Sequence, residues 1–426
     1  MAFDGGGMNK KTKILLRGPV LTRSGYGEQC RFALRSLRSR SDLFEIFVHP
    51  LQWGATSWTN ERDAERTWID SAIEKTLAYM QGGGTFDMTV QVTIPNEWEK
   101  MSPRDIGYTA GIETTRTAHQ WIQKGNEMDN IIVVSNHSKM VYEKTAYQGQ
   151  NSRTGEMVEL KLTTPVDVVN YPVKEFEKVE VDLDVSTSFN FLCVAQFSPR
   201  KNLNNTVKWF IEEFRDNEDV GLILKSNIAK NSLMDRERYY SQLRSYARQQ
   251  GEHKCKFYLL HGDMTDAEVH NLYNHDKTDA LIALAHGEGF GLPMFEAAYS
   301  GMPVVATGWS GQLDYLINKE TGRNRFYSVD FDLQPVQDEV VWEGVIVKDS
   351  MWAYSREQSA KQQMRQCYYD LTSDSREETL KTHTEYAKEI REEFDSASMY
   401  KAFVDSVLGV DSSTVQGESQ EVLEFD

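Results

Sequence analysis

Two glutamates eight positions apart, Glu288 and Glu296, lie in the stretch HGEGFGLPMFEAAYSGMPVV at residues 286–305. Glu288 stands in a glycine-rich turn and Glu296 in the first turn of what reads as a helix. A carboxylate accepts paired hydrogen bonds, so Glu296 suits the vicinal hydroxyls of a ribose and Glu288 the hydroxyls of a sugar ring. Gly287, Gly289 and Gly291 permit positive φ and let backbone N–H groups come close to a ligand. Pro293 suits the first helical turn, which leaves the amides around Gly289, Phe290, Gly291 and Leu292 to face an anion. A phosphate or diphosphate is the natural occupant.

Such a site must be carried by a strand and a helix, and the flanks supply them. The apolar run 279–285 precedes the turn, and the β-branched run 303–307 follows it. Elsewhere, strands are expected at residues 13–17, 45–48, 88–93, 105–109, 131–135 and 166–170, with helices at 28–39, 61–80, 117–127 and 137–146. The alternation restarts with strands at 190–195, 220–225, 256–260 and 279–285 and helices at 202–214, 233–250 and 266–274. Continuous apolar strands alternating with helices predict parallel sheets covered on both faces. Ligands then sit beyond the strands' carboxyl ends. The charged stretch 172–187 reads as the connection between two doubly wound α/β domains facing a cleft. From about residue 352 to 408 the chain reads as wholly helical, with a break near 372–374.

The expected division is residues 1–175 for the first domain, 186–385 for the second, 386–410 for a helix returning to the first, and 411–426 for an acidic, Ser-rich disordered tail. A chain of 426 residues exceeds one ordinary core, in line with that division. Apolar runs stop at strand length, short of a membrane span, and the start of the sequence has no secretory h-region. Four scattered cysteines and nine ungrouped histidines fit a reducing cytoplasm and give no metal-ligand pattern. A net charge of −17 disfavours nucleic acid as a partner. The arginines of the first forty residues, Arg17, Arg23, Arg31, Arg35, Arg38 and Arg40, read as a solvated helix face that could touch a membrane surface peripherally.

The E-x7-E stretch resembles the donor motif of GT-B glycosyltransferases, specifically the retaining family 4, whose usual form is EGFGLPxxEAxAxGxPVV. VAQFSPRKNL at residues 194–203 resembles the family's phosphate-binding segment, and residues 259–264, ending in Met264, the segment bordering the base. Residues 386–407 resemble its closing helices; together the likeness covers most of residues 190–408. In the first domain, Gly25, Tyr26 and Gly27 resemble the N-terminal glycine loop near the donor phosphates.

The resemblance implies a nucleotide-sugar donor, UDP- or GDP-linked, with no obligatory metal or cofactor, and transfer with retention. It gives Glu296 the ribose and Glu288 the transferred sugar. Two departures stand out. The usual Arg of the basic pair is Gln196 here; Lys201 keeps its place, and Arg200 beside it offers a replacement cation for a leaving diphosphate. Where many relatives have a first-domain histidine, the nearest candidate is Glu113. The acceptor (glycan, lipid, protein or modified nucleobase) is not implied. A dinucleotide oxidoreductase fits poorly, since residues 18–27 lack GxGxxG. The rivals are a GT-B nucleotide-sugar isomerase and a non-catalytic module binding nucleotide sugar or glycan. The aromatic stretches 53–58 and 96–98 read as core or domain edge rather than as sugar platforms.

Overall fold

The computed structural model describes residues 11–410 apart from 55, 151, 152, 154, 229 and 230. The expected tail at 411–426 lies outside the described residues.

Six parallel strands build the first sheet: β1 (Thr12–Gly18), β2 (Phe44–Pro50), β3 (Met88–Val92), β4 (Arg104–Thr109), β5 (Asn130–Val133) and, beyond a surface hairpin of β6 (Ala146–Gln150) and β7 (Met157–Lys161), β8 (Val166–Val168). Their order is β2-β1-β3-β4-β5-β8. The second sheet repeats it with β9 (Phe189–Val194), β10 (Val220–Lys225), β11 (Lys256–Leu260), β12 (Ala280–Ala283), β13 (Val304–Thr307) and β14 (Tyr327–Val329), ordered β11-β10-β9-β12-β13-β14. In both, the order reverses beside the first strand, the place where open α/β sheets form a ligand crevice.

The first domain's helices are α1 (Gly25–Ser39), α2 (Ala64–Gln81), α3 (His119–Gly125) and α4 (Asn136–Lys144). In the second come α5 (Leu203–Phe214), α6 (Leu233–Gln249), α7 (Asp266–Leu272), α8 (Leu292–Tyr299) and the single turn α9 (Leu313–Leu316). Local capping explains where several begin. Ser24 accepts from Gly27 N at the start of α1, and Thr265 with Glu268 forms a capping box on α7.

The C-terminal third corrects two expectations. Residues 352–355 are not helical: β15 (Phe331–Pro335) and β16 (Met351–Ser355) form an antiparallel hairpin, and helices resume only at α10 (Glu357–Thr372) and α11 (Arg376–Glu393). Trp352 and Ala353 are both fully buried, and pairing with β15 holds the segment extended. Nor does the return to the first domain start at residue 386. Helix α11 stays on the second domain against α8, and α12 (Ser396–Leu408) crosses to lie on α1. Buried Phe403, Val404 and Val407 hold α12 there, with the Phe403 ring 5.6 Å from that of Phe32. Burying such side chains contributes roughly 1.5–3 kcal/mol each.

Of the arginines near the N-terminus, Arg40 is exposed as expected, while Arg23, Arg31 and Arg35 depart from a solvated face. Arg31 is 8% exposed, and Arg35 bridges Glu28 at 2.8 Å and Glu65 at 2.7 Å. Arg23 bonds Glu61 at 2.6 Å and donates to the Met264 carbonyl of the second domain at 2.7 Å. Among the described residues no helix is long and apolar enough to cross a membrane.

Candidate functional site

The turn between β12 and α8 stands at the carboxyl end of the second sheet, and the first domain closes onto it. A side chain at Gly287 or Gly289 would run into the carbonyl oxygens of Glu113 and Ala110, so glycine is what admits the two backbones to each other. Gly291, at φ +88°, caps α8 in the left-handed region and turns the chain into the helix. The Phe290 ring is spent in the core, 5.1 Å from Tyr171 and 4.9 Å from Tyr315. Any contact of Phe290 with a ligand is therefore through its backbone.

Four charged side chains form a chain across the cleft. Lys201 Nζ lies 2.5 Å from Glu288 Oε1, Arg200 Nη1 lies 2.9 Å from Glu288 Oε2, and Arg200 Nε lies 2.9 Å from Glu113 Oε2. Arg200 Nη1 also donates to the Gly287 carbonyl at 2.8 Å. Lys201 and Arg200 come from a single 3-10 turn after β9, Glu288 from the turn after β12, and Glu113 from the loop after β4. All four follow the carboxyl ends of strands. Burial raises the Glu288 carboxyl, but Lys201 and Arg200 overcome this and hold it below the usual range. Glu113 goes the other way: burial, with Glu288 nearby, outweighs Arg200 and pushes it up.

Glu296 sits apart, in a second cluster around the linker residue Lys174. Lys174 Nζ lies 3.1 Å from Glu28 and 3.3 Å from Asp266. Burial pushes the Glu296 carboxyl up to about 7; Lys174 opposes the shift and Asp266 adds to it. Burial raises Glu28 too, but Lys174, Arg35 and Arg31 hold it well below its ordinary range. A carboxyl poised near neutrality beside a lysine can accept from hydroxyl donors once ionised.

The remaining predicted residues are placed as follows. Gly25 and Gly27 open α1 beyond β1, and a side chain at Gly27 would collide with the Thr22 carbonyl. The Tyr26 hydroxyl bonds Thr109 Oγ1 at 2.8 Å and accepts from Ala110 N at 3.3 Å, so it braces the loop that meets Gly289. Gln196 is exposed and donates to the Ile228 carbonyl at 3.0 Å, away from the Glu288 chain. Met264 lies where Arg23 ties the two domains together. The aromatic stretches divide: Trp98 is fully buried in the first domain, while Trp53 lies 4.2 Å from the Tyr26 ring at the cleft edge.

Several residues at the cleft went unread in the sequence. Asp314 on α9 is 7% exposed and accepts from Asn136 N at 2.9 Å, Asn136 Nδ2 at 3.0 Å and Asn170 Nδ2 at 2.9 Å, all from the first domain. His137, at the start of α4, lies edge-on to Trp309 at 4.8 Å, and burial pushes it down to about 4. The β15–β16 hairpin reaches from one domain to the other. For the hairpin, Asp314 and His137 alike the sequence carries no periodic signal.

Comparison with known proteins bears on this arrangement. Residues 176–324 match the family model described as glycosyl transferases group 1. A 118-residue segment is 32% identical to the serotype-specific mannosyltransferase WbdA of Escherichia coli, covering 27% of this chain and 13% of that protein's length. The structure resembles that of Anabaena HepE in complex with UDP and glucose (TM-score 0.56, 13% identity, covering 93% of this chain and 100% of that one). It also resembles sucrose-phosphate synthase from Thermosynechococcus elongatus (TM-score 0.58, 10% identity, covering 95% and 100%). Residues 176–324 are thus similar to the glycosyl transferases group 1 family, and the whole chain shares the two-domain fold of these solved structures.

Proposed function

We propose that this protein transfers a sugar from a nucleotide-diphosphate donor to an acceptor hydroxyl with retention of configuration. The observation that carries the reading is the Lys201–Glu288–Arg200–Glu113 chain, which brings two cations and two carboxylates from both domains to the start of α8. A diphosphate entering there displaces the carboxylates from Lys201 and Arg200 and takes their hydrogen bonds, together with the amides of Gly289–Leu292. The released Glu288 carboxylate then accepts from hydroxyls of the transferred sugar, and Glu296 from the ribose.

As the glycosidic bond breaks, charge grows on the diphosphate, where donors already in position stabilise it without reorganisation. The acceptor hydroxyl attacks from the face that the diphosphate leaves and gives its proton to a phosphate oxygen. This route needs no protein nucleophile. It takes no divalent ion either, since Lys201, Arg200 and the helix amides meet the developing charge; transfer that survives EDTA is the expected result.

The test is donor binding and turnover with UDP-, GDP- and ADP-sugars, comparing wild type with Glu288→Ala and Lys201→Ala. Mannosyl and glucosyl donors come first, because WbdA is named a mannosyltransferase and HepE was solved with UDP-glucose. Failure of wild type to bind or turn over any donor overturns the reading. Binding without turnover on a broad acceptor screen supports a binding module instead, the alternative that Gln196, turned away toward Ile228, favours. Unchanged rates in both variants show that the site lies elsewhere.

A further inference from the structure

The hairpin of β15 and β16 lies beyond residue 324, where the group 1 family match ends, and it is fastened at both ends. On the second domain, Ala353 N donates to the His286 carbonyl at 2.9 Å. His286 Nδ1 lies 2.7 Å from the Ala353 oxygen, so that nitrogen carries the proton. The Trp352 ring stacks on the His286 ring at 5.0 Å and 19°.

On the first domain, Thr115 N donates to the Met351 carbonyl at 2.8 Å, and Met351 N donates to Thr115 Oγ1 at 2.9 Å. Further along the hairpin, Asp349 pairs with Arg116 and the Gly344 carbonyl accepts from Asn96 at 2.9 Å. Val345 and Val347 pack on the apolar cluster of Trp98, Ile112 and Trp121.

His286 stands two residues before Glu288, and Thr115 two residues after Glu113. The hairpin residues that hold them, Met351 and Ala353, are themselves two apart on one strand, about 7 Å at strand rise. We infer that this hairpin is an interdomain clasp that fixes the separation of the Glu113 loop and the Glu288 turn, and so positions both ends of the charge chain for transfer. Its residues act through the two loops and touch no reacting atom. Only the kinetic half of this inference rests on the transferase reading.

The test uses the full chain with Thr115→Val and Asp349→Ala combined, which remove one hydrogen-bond acceptor and one ion pair at the clasp's first-domain end. Thr115→Ser, which keeps the oxygen, is the companion. Label pairs at exposed Gln123→Cys and Glu218→Cys report the distance between domains; the four native cysteines are all buried. In the double variant the distance distribution is expected to broaden toward longer values. Donor KM should stay within about threefold of wild type, while transfer turnover falls roughly 10- to 100-fold relative to donor hydrolysis. Thr115→Ser should match wild type in both measurements. An unchanged distance distribution overturns the clasp, whether or not any donor is turned over. A broadened distribution with unchanged turnover overturns its positioning role.

Discussion

Arg200 holds two carboxylates from different domains, Glu113 through Nε and Glu288 through Nη1, each at 2.9 Å. One guanidinium thus bridges the first-domain loop and the second-domain turn, and its planar fork lets it bond both at once. A lysine has a single ammonium nitrogen and cannot hold both acids in this arrangement, so it replaces only part of what Arg200 does.

Removing this cation is the most direct challenge to the site. Arg200→Ala leaves Glu113 without its counter-charge and Glu288 with Lys201 alone. Transfer is expected to fall by about 100- to 1000-fold, the scale of losing one preorganised donor to developing charge. Arg200→Lys should recover only part of it. Steady-state kcat/KM with the best donor of the panel measures both.

Glu113 makes proton uptake on donor binding a second expectation. Its carboxyl is already raised by burial, and Arg200 is what holds it down. When a diphosphate draws Arg200 away, that restraint weakens and the carboxyl rises further, so binding takes up a proton at pH values between its free and bound midpoints. Calorimetry of nucleoside diphosphate binding in buffers of different ionisation enthalpy should show a proton balance shifted toward uptake in wild type relative to Glu113→Gln, because any release from Glu296 is common to both. Equal uptake in the two proteins would place the proton elsewhere.

How much of this was legible in the sequence follows from how local each feature is. The glycine turn, the start of α8 at Leu292–Pro293 and the apolar strands are set by residues within a few positions of one another, and their spacing announces them. Glu288 with Lys201 was legible because both follow strand ends of one sheet. The Glu113–Arg200 contact and the bonds from Asn136 and Asn170 to Asp314 join segments more than 80 residues apart across the cleft, with no periodicity to mark them. Arg31 and Arg35 looked solvated for the same reason. Their partner Glu28 sits on their own helix, but Glu65 and the covering residue Lys174 come from elsewhere in the fold.

Asp314 supplies a third prediction, on stability and domain closure together. Its carboxylate serves three N–H donors of the first domain in a nearly water-free spot. Asp314→Ala strands those donors and should cost roughly 1–3 kcal/mol in denaturant unfolding, whereas Asp314→Asn keeps an acceptor and should cost less. A result in which Ala and Asn are equally mild would mean that water already satisfies Asn136 and Asn170.

The pH dependence of donor affinity tests Glu296. Its carboxyl is raised by burial from an ordinary 4.5 to about 7, so in the free protein it is mostly protonated at pH 6 and mostly ionised at pH 8. Ribose hydroxyls donate to the ionised form, so nucleoside diphosphate affinity should strengthen as pH rises through 7 and level off above 8. Stability moves the other way. The folded state holds the proton more tightly than the unfolded chain, so this group's contribution is present below pH 4.5 and is lost as pH rises through 7. Glu296→Gln removes the ionisation and should flatten both profiles between pH 5 and 8 while leaving the Glu288 chain intact. Isothermal titration and urea unfolding at matched pH values read the two trends separately. If affinity in the glutamine variant still strengthens through pH 7, Glu296 is not the group whose ionisation the donor reads.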